Sequence, residues 1–452
     1  MTVIHARTAL LPDGWATDVR VGIVDGRIAR VTTGVAGQGQ RVDCLLAAPT
    51  NLHSHTFQRA MAGLTERRSA GQDSFWTWRT LMYRFLDQLT PDDVQAIAAM
   101  VMVEMAEAGF AAVAEFHYLH HAPGGRHYAD LAEMTTRIAA AAAETGLGLT
   151  HLPVLYERGG CDGRALTAGQ LRFGTDPDQF LALWQAARVS LKSLPADTVL
   201  GVAPHSLRAV RPQGLDMAAL LDPQAPIHIH VAEQLAEVAE VQAATGQRPV
   251  DWLLGHHDVN PRWCLIHATQ MTPQETLGLA RSGAVAGLCP ITEANLGDGI
   301  FDGQRFVQAG GRFGIGSDSN VRISLSEELR LLEYSQRLGL KGRAILATAG
   351  QSCGRVLFDG AVQGGAQAAG RESGAIAPGL WADLLALDLG HPDVAAATGD
   401  TILDTFIFAR DDRMVRALWS AGRLLVLGGR HFARDAVTRA YAATVSRLRG
   451  AL

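Results

Sequence analysis

Apolar positions along the chain fall into two patterns. Near both ends, short apolar runs are broken by turn residues. Residues 19–24, the pair Asp25-Gly26 and residues 27–31 predict a hairpin with a tight turn. Residues 383–387, 416–420 and 424–426 predict further strands. Between these ends, strand-length apolar runs alternate with helical stretches, as parallel sheets built from βα units require. Eight such runs occur, at 45–55, 111–118, 148–156, 198–206, 226–233, 262–269, 284–292 and 313–319. Two intervening helices have clear starts. Thr90-Pro91-Asp92-Asp93 supplies a cap, a proline and early acidic residues. Thr272-Pro273 with Glu275 forms a capping box, and that helix should stop at Gly283. Eight strands with helical crossovers predict an α/β fold: a (β/α)8 TIM-type barrel over residues 49–372. A small β-sandwich domain is expected from both chain ends, residues 1–48 and 373–452, with a C-terminal helix. The stretch 360–374, rich in Gly and Ala, reads as the link back to that domain.

Composition agrees with this division. A single core rarely exceeds about 250–300 residues, and the chain has 452. Hydrophobic residues make up 48% and charged ones 19%, which excludes a disordered chain. The formal charge is −5 without a basic stripe, so nucleic acid is not an expected partner. No apolar stretch approaches the roughly 20 residues of a membrane span, and the first residues lack a signal-peptide pattern. Cys44, Cys161, Cys264, Cys289 and Cys353 form no CxxC pair, so neither a disulfide framework nor a thiolate zinc site is indicated. A cytoplasmic setting is expected.

The polar residues then become informative, because barrel chemistry sits at the C-terminal ends of the strands. The first run ends in His53-Ser54-His55, whose alternate residues share a face. The fifth carries His228, His230 and Glu233, the sixth His267, and the eighth Asp318. His53, His55, His230 and Asp318 would suit one divalent ion, zinc by default and iron as the alternative, with a position open for water. Such an ion lowers the pKa of bound water towards about 7. Glu233 is placed to shuttle a proton to a departing nitrogen. His267 and Asp318 could orient the water, take its proton or polarise the substrate. His228 lies one layer deeper and reads as a supporting or core residue.

These residues, with the SDS around Asp318, resemble the mononuclear deaminase branch of the amidohydrolase superfamily. The likeness covers nearly the whole chain, including Gly379-Leu380-Trp381-Ala382-Asp383 at the return to the small domain. In two-metal members a carboxylated lysine at the end of the fourth strand bridges the ions. The only lysines here are Lys192 and Lys341, neither within 198–206, so the resemblance implies one ion. More closely, NLHSHTFQRAM (51–61), SFWTWRTLMY (74–83), EFHY (115–118), APHSLRAV (203–210) and CPITEANLGDGIFD (289–302) resemble the formimidoylglutamate deiminases. That resemblance implies hydrolysis of N-formimino-L-glutamate to N-formyl-L-glutamate and ammonia in histidine degradation, by a homodimer. It also implies substrate contacts at Gln58, Arg79, Tyr118, His205 and Arg208. The two arginines suit a substrate with two carboxylates, since a negatively charged protein attracts carboxylates only through local donors. Arg59, Arg67 and Arg84 read as solvent-facing, and 67–74 as a candidate lid from its composition. The alternatives are a deaminase of a ring amine such as guanine, which would favour a stacking pocket over two arginines, and a non-catalytic barrel scaffold.

Overall fold

A computed structural model describes residues 2–64, 66 and 75–450, with the backbone alone for 75–80. The eight central strands are β1 (Thr50–Ser54), β2 (Ala112–His117), β3 (Gly148–Leu155), β4 (Val199–Leu200, resumed at Ala203–Pro204), β5 (Ile227–Val231), β6 (Trp263–His267), β7 (Val285–Leu288) and β8 (Arg312–Ile315). They form two parallel half-barrels, β1 to β4 and β5 to β8. Bridges Val202↔Ile227 and Ser206↔His230 join the halves on one side, and Ser54↔Asp318 joins them on the other. At that second seam Asp318 N donates to His53 O and His55 N donates to Asp318 O, both at 2.9 Å. Strands β1, β2, β3, β5, β6 and β7 are buried along their full length, as expected for parallel strands covered on both faces.

Four boundaries differ from the hydrophobic pattern, each for a local reason. The run 45–55 holds two strands. Gln40–Ala47 pairs in the terminal sheet, and β1 begins at Thr50, after a break at Ala48-Pro49 where proline supplies no amide donor. The run 198–206 is interrupted at Gly201-Val202. The run 284–292 stops as a strand at Leu288, because Pro290 opens the helix Pro290–Leu296. The stretch 360–374 is not a link over most of its length. It continues the helix Cys353–Ala368, which packs on β8 and β1. A Cβ on Gly364 would stand 1.8 Å from Phe313 O, and one on Gly365 2.7 Å from Thr50 O. Glycine here permits close approach of helix and strand, and that tertiary contact overrides its poor helix propensity.

The chain ends, expected as a β-sandwich, hydrogen-bond as one continuous eight-stranded mixed sheet. Its order is Arg430–His431, Arg423–Leu427, Val415–Ser420, Leu384–Leu387, Gln40–Ala47, Thr2–Leu11, Gly14–Val24, Arg27–Thr32. Asp25 and Gly26 both take left-handed φ, 49° and 78°, as a type I′ hairpin turn demands. The Thr90 and Thr272 capping boxes form, and Gly283 ends the second helix at φ 77°.

A buried ion-pair cluster fastens the barrel to this sheet. Arg371 Nε lies 2.6 Å from Asp383 Oδ2 and its Nη2 2.7 Å from Asp197 Oδ2. Arg423 grips the same Asp197 with two nitrogens at 2.8 Å. Burial pushes the Asp197 carboxyl up, but Arg423 and Arg371 outweigh it and hold the group at about 2. The depressed value means stability that is complete above the ordinary 3.8 and is lost as pH falls through about 2. Replacing Arg371 with Met leaves Asp197 and Asp383 buried with an incomplete set of partners. That variant is expected to lose about 3–5 kcal/mol in denaturant unfolding at neutral pH. An unchanged unfolding midpoint would show that the cluster contributes nothing to stability.

Candidate active site

Three strand ends, those of β1, β5 and β8, bring four donor side chains to one point. Ligand atoms of His53, His55, His230 and Asp318, all buried, lie within 4.8 Å of one another. His53 Nε2 is 3.1 Å from His230 Nε2 and 3.5 Å from Asp318 Oδ1, while His55 Nε2 is 3.3 Å from that oxygen. His55 Nδ1 contacts Phe116 O at 2.9 Å, and His230 Nδ1 contacts His205 O at 3.2 Å. A carbonyl only accepts, so both Nδ1 atoms carry the proton and both Nε2 atoms turn lone pairs inward. Burial, reinforced by the neighbouring imidazoles, pushes His53 and His230 well below the usual histidine range. Burial also lowers His55, against the opposing pull of Asp318. Three neutral imidazoles and a carboxylate thus turn toward one point. The donor set fits a divalent metal.

The backbone here is bent against its preference. Ala232, His267, Ala268, Asp318 and Asn320 take left-handed φ between 45° and 67°, all at the ends of β5, β6 and β8. Each non-glycine residue held this way costs on the order of 1–3 kcal/mol, which surrounding contacts must offset. At β8, the Asn320 side-chain amide donates to Ser54 Oγ, His55 O and Asp318 O. At β5, Glu237 accepts from the amides of Ala232 and Glu233 at 3.1 and 3.0 Å. At β6, Glu293 receives His267 Nδ1 at 3.3 Å and the Cys289 amide at 3.0 Å.

One pocket gathers the remaining candidates: Gln58, Tyr118, His205, Arg208, Glu233 and His267 line it together with His55, His230 and Asp318. Gln58 Nε2 donates to Tyr118 Oη at 2.7 Å. Burial, with Asp318 and Glu237 nearby, raises the proton affinity of Glu233 against the pull of His267 and Arg208. Burial lowers that of His267, but Glu233, Glu293 and Asp318 outweigh it and raise it overall. Arg208 is 6% exposed, and its Nε has no hydrogen-bond partner among the described residues. The Arg79 side chain, Arg67 and the candidate lid 67–74 lie outside what the structure describes. His228 stands apart from the pocket, bonded to Ala368 O at 2.7 Å in the core. Arg59, expected to face solvent, instead pairs with Glu104 at 2.7 Å and is mostly buried. Its position beside the helix Pro91–Ala108 was invisible to spacing alone.

Glu237, Glu293, Asn320 and Glu115 were missed from sequence. Glu115, fully buried, receives both the amide and the hydroxyl of Thr56, at 2.8 and 2.7 Å, and so anchors the turn after His55. Glu237 alone had a readable signal, four residues after Glu233 at the first turn of the helix Leu235–Thr245.

Family comparison agrees with this architecture. The Amidohydrolase family model matches residues 44–425, and the model "Formimidoylglutamate deiminase HutF, N-terminal domain" matches residues 1–41. The chain belongs to the amidohydrolase family. It is 48% identical over 453 aligned residues to a formimidoylglutamate deiminase of Pseudomonas aeruginosa, covering 99% of this chain and 100% of that one. Among solved structures, an amidohydrolase from Brucella melitensis superposes with a TM-score of 0.96 at 51% identity, over 99% of this chain and 100% of that one. An adenosine deaminase from Xanthomonas campestris with bound zinc shares the fold at a TM-score of 0.82 and 20% identity, over 99% and 98% of the two chains.

The Glu237 clamp is open to direct measurement. Hydrogen exchange at the Ala232 and Glu233 amides should accelerate at least about tenfold in Glu237→Ala, given about 1.5–3 kcal/mol per charged hydrogen bond. Equal protection in variant and parent would mean that the carboxylate does not hold this turn.

Proposed function

We propose that this chain hydrolyses N-formimino-L-glutamate to N-formyl-L-glutamate and ammonia, a deimination of a linear amidine in histidine degradation. The observation that carries the reading is Arg208, a buried guanidinium at the pocket wall whose Nε lacks a partner among the described residues. Leaving such a group unsatisfied is costly, and a substrate carboxylate satisfies it bidentately. The full-length likeness to a formimidoylglutamate deiminase supports the same substrate.

His53, His55, His230 and Asp318 would hold one divalent ion, with zinc the first choice and iron the alternative. That ion would supply Lewis acidity and a water of lowered pKa. The protein's own groups do the rest. Arg208 takes one carboxylate, and the second is assigned to Arg79 by resemblance. Gln58, Tyr118 and His205 position the formimino group. His267 presents Nε2, since Nδ1 faces Glu293, and stands 3.8 Å from Asp318 Oδ2. A water proton is taken at one of these two atoms as the water oxygen bonds to the formimino carbon. Glu233, whose burial favours the protonated form, passes a proton to the departing nitrogen, and ammonia leaves. Domain limits of 1–48, 49–372 and 373–452, a homodimer and a cytoplasmic setting belong to the same reading. The five cysteines are all free, which suits a reducing compartment.

Three measurements bear on this assignment. Purified protein should release ammonia from N-formimino-L-glutamate and not from guanine, with about one metal ion per chain by elemental analysis. Turnover of guanine alone would overturn the substrate. Glu233→Gln should keep its metal and lose roughly 10²–10⁴ in kcat; a near-normal rate would remove Glu233 from the proton path. Arg208→Met should raise KM by about 30-fold or more, with Arg208→Lys recovering part of the loss. An unchanged KM would leave the arginine without a role in binding.

A further inference from the structure

We propose that a second cation site, built from Cys289, His267 and Asp318, lies beside the first and that a soft divalent ion bound there inhibits the enzyme. Ligand atoms of these three residues, all buried, lie within 4.8 Å of one another. The geometry of Asp318 joins the two sites. Its Oδ1 faces His53 and His55 at 3.5 and 3.3 Å, while its Oδ2 faces His267 Nε2 at 3.8 Å. One carboxylate thus turns a separate oxygen to each site. In a tetrahedral zinc centre, donor atoms 2.0–2.3 Å from the ion stand about 3.5 Å apart. The His267–Asp318 separation is close to that, and the Cys289 sulfur lies within 4.8 Å of both.

The donor set selects the kind of ion. Thiolate, imidazole and carboxylate together favour zinc or cadmium over magnesium or calcium, which take oxygen ligands. Burial raises the Cys289 thiol, so an ion that binds there displaces the thiol proton to solvent as the sulfur–metal bond forms. No CxxC spacing announces this site, because its three donors come from the ends of β6, β7 and β8 and meet only in the closed ring. The site holds the two groups assigned above to the water proton, so its occupation would block turnover. That inhibitory consequence rests on the proposed function, whereas the binding does not.

The test uses the full chain loaded with one equivalent of metal, with cadmium ion as the probe. Cadmium in modest excess should add one further equivalent per chain, produce an ultraviolet thiolate-to-cadmium charge-transfer band, and lower the rate of ammonia release at least about 100-fold. Cys289→Ser should keep its first metal and its basal activity but gain neither the second equivalent nor the band. Cys161→Ser, which removes a partly exposed thiol elsewhere, should behave as the parent. The proposal fails if no second equivalent binds, if it binds without the band, or if the band survives in Cys289→Ser. Should Cys289→Ser not fold, cadmium-edge X-ray absorption of the native protein, its first site already filled, decides instead. A cadmium–sulfur shell is required, and a shell of oxygen and nitrogen alone overturns the site. A wrong substrate assignment would leave the metal count and the band intact, so the two failures are distinguishable.

Discussion

The closure of the barrel and the assembly of the site are one event. Strands β1 and β8 are joined by two backbone hydrogen bonds, from Asp318 to His53 and from His55 to Asp318. The residues that exchange them carry three of the four converging donor side chains. If this seam opened by one residue, the side chains of β1 would turn to the other face and the donor cluster would be lost. Asn320 reinforces the seam with three donated bonds. The helix Cys353–Ala368 covers its outer side, where glycines let it approach both strands. Stability of the ring and competence of the donor cluster therefore depend on the same contacts.

Left-handed backbone at five positions shows how strain is distributed around this seam. Parallel strands tend to run straight past the rim, yet here the chain turns within a residue or two of each donor. The turns bring Glu233, His267 and Asp318 over one pocket instead of leaving them on diverging loops. Buried carboxylates offset much of the cost. Glu237 holds the β5 turn, and Glu293 holds the His267 ring and the start of the following helix. Each of these carboxylates accepts from two donors, which limits the expense of burying a charge.

Much of the barrel was legible in the sequence because burial on both faces leaves continuous apolar runs. The His53/His55 pair was legible because alternate residues of a strand share a face. Asp318 was legible as a polar residue at the end of the last run. What remained hidden depends on contacts distant along the chain. Nothing local to Ala232 or Ala268 signals a left-handed residue, since neither is a glycine or asparagine. Glu293 looks like an ordinary helical acid until the closed ring sets it beside His267. The glycines of 353–368 point to a loop by propensity and form a helix only because strands lie beneath them. The sheet of the chain ends was legible strand by strand, but its single continuous order is set by pairings between residues more than 300 positions apart, such as Cys44 with Leu387.

Under the proposed function, the surroundings of Arg208 account for the selection of an acidic ligand by an acidic protein. Arg208 is stabilised at a distance by Glu237, Tyr156, Glu233 and Glu240, which more than offset its burial, and not by a close ion pair with any described carboxylate. A direct bidentate pair would have taken two of the guanidinium's five N–H donors and left fewer for a ligand. The distributed arrangement keeps Arg208 charged while leaving its fork available. The same arrangement supplies discrimination. A ligand with a carboxylate completes the hydrogen bonds of Arg208, whereas a neutral ring amine of similar size leaves them unmade in a buried pocket. The penalty for an unmatched buried polar group generally exceeds what one additional apolar contact returns. Under the proposed function, selectivity against ring amines rests on the unpartnered Nε of this one side chain.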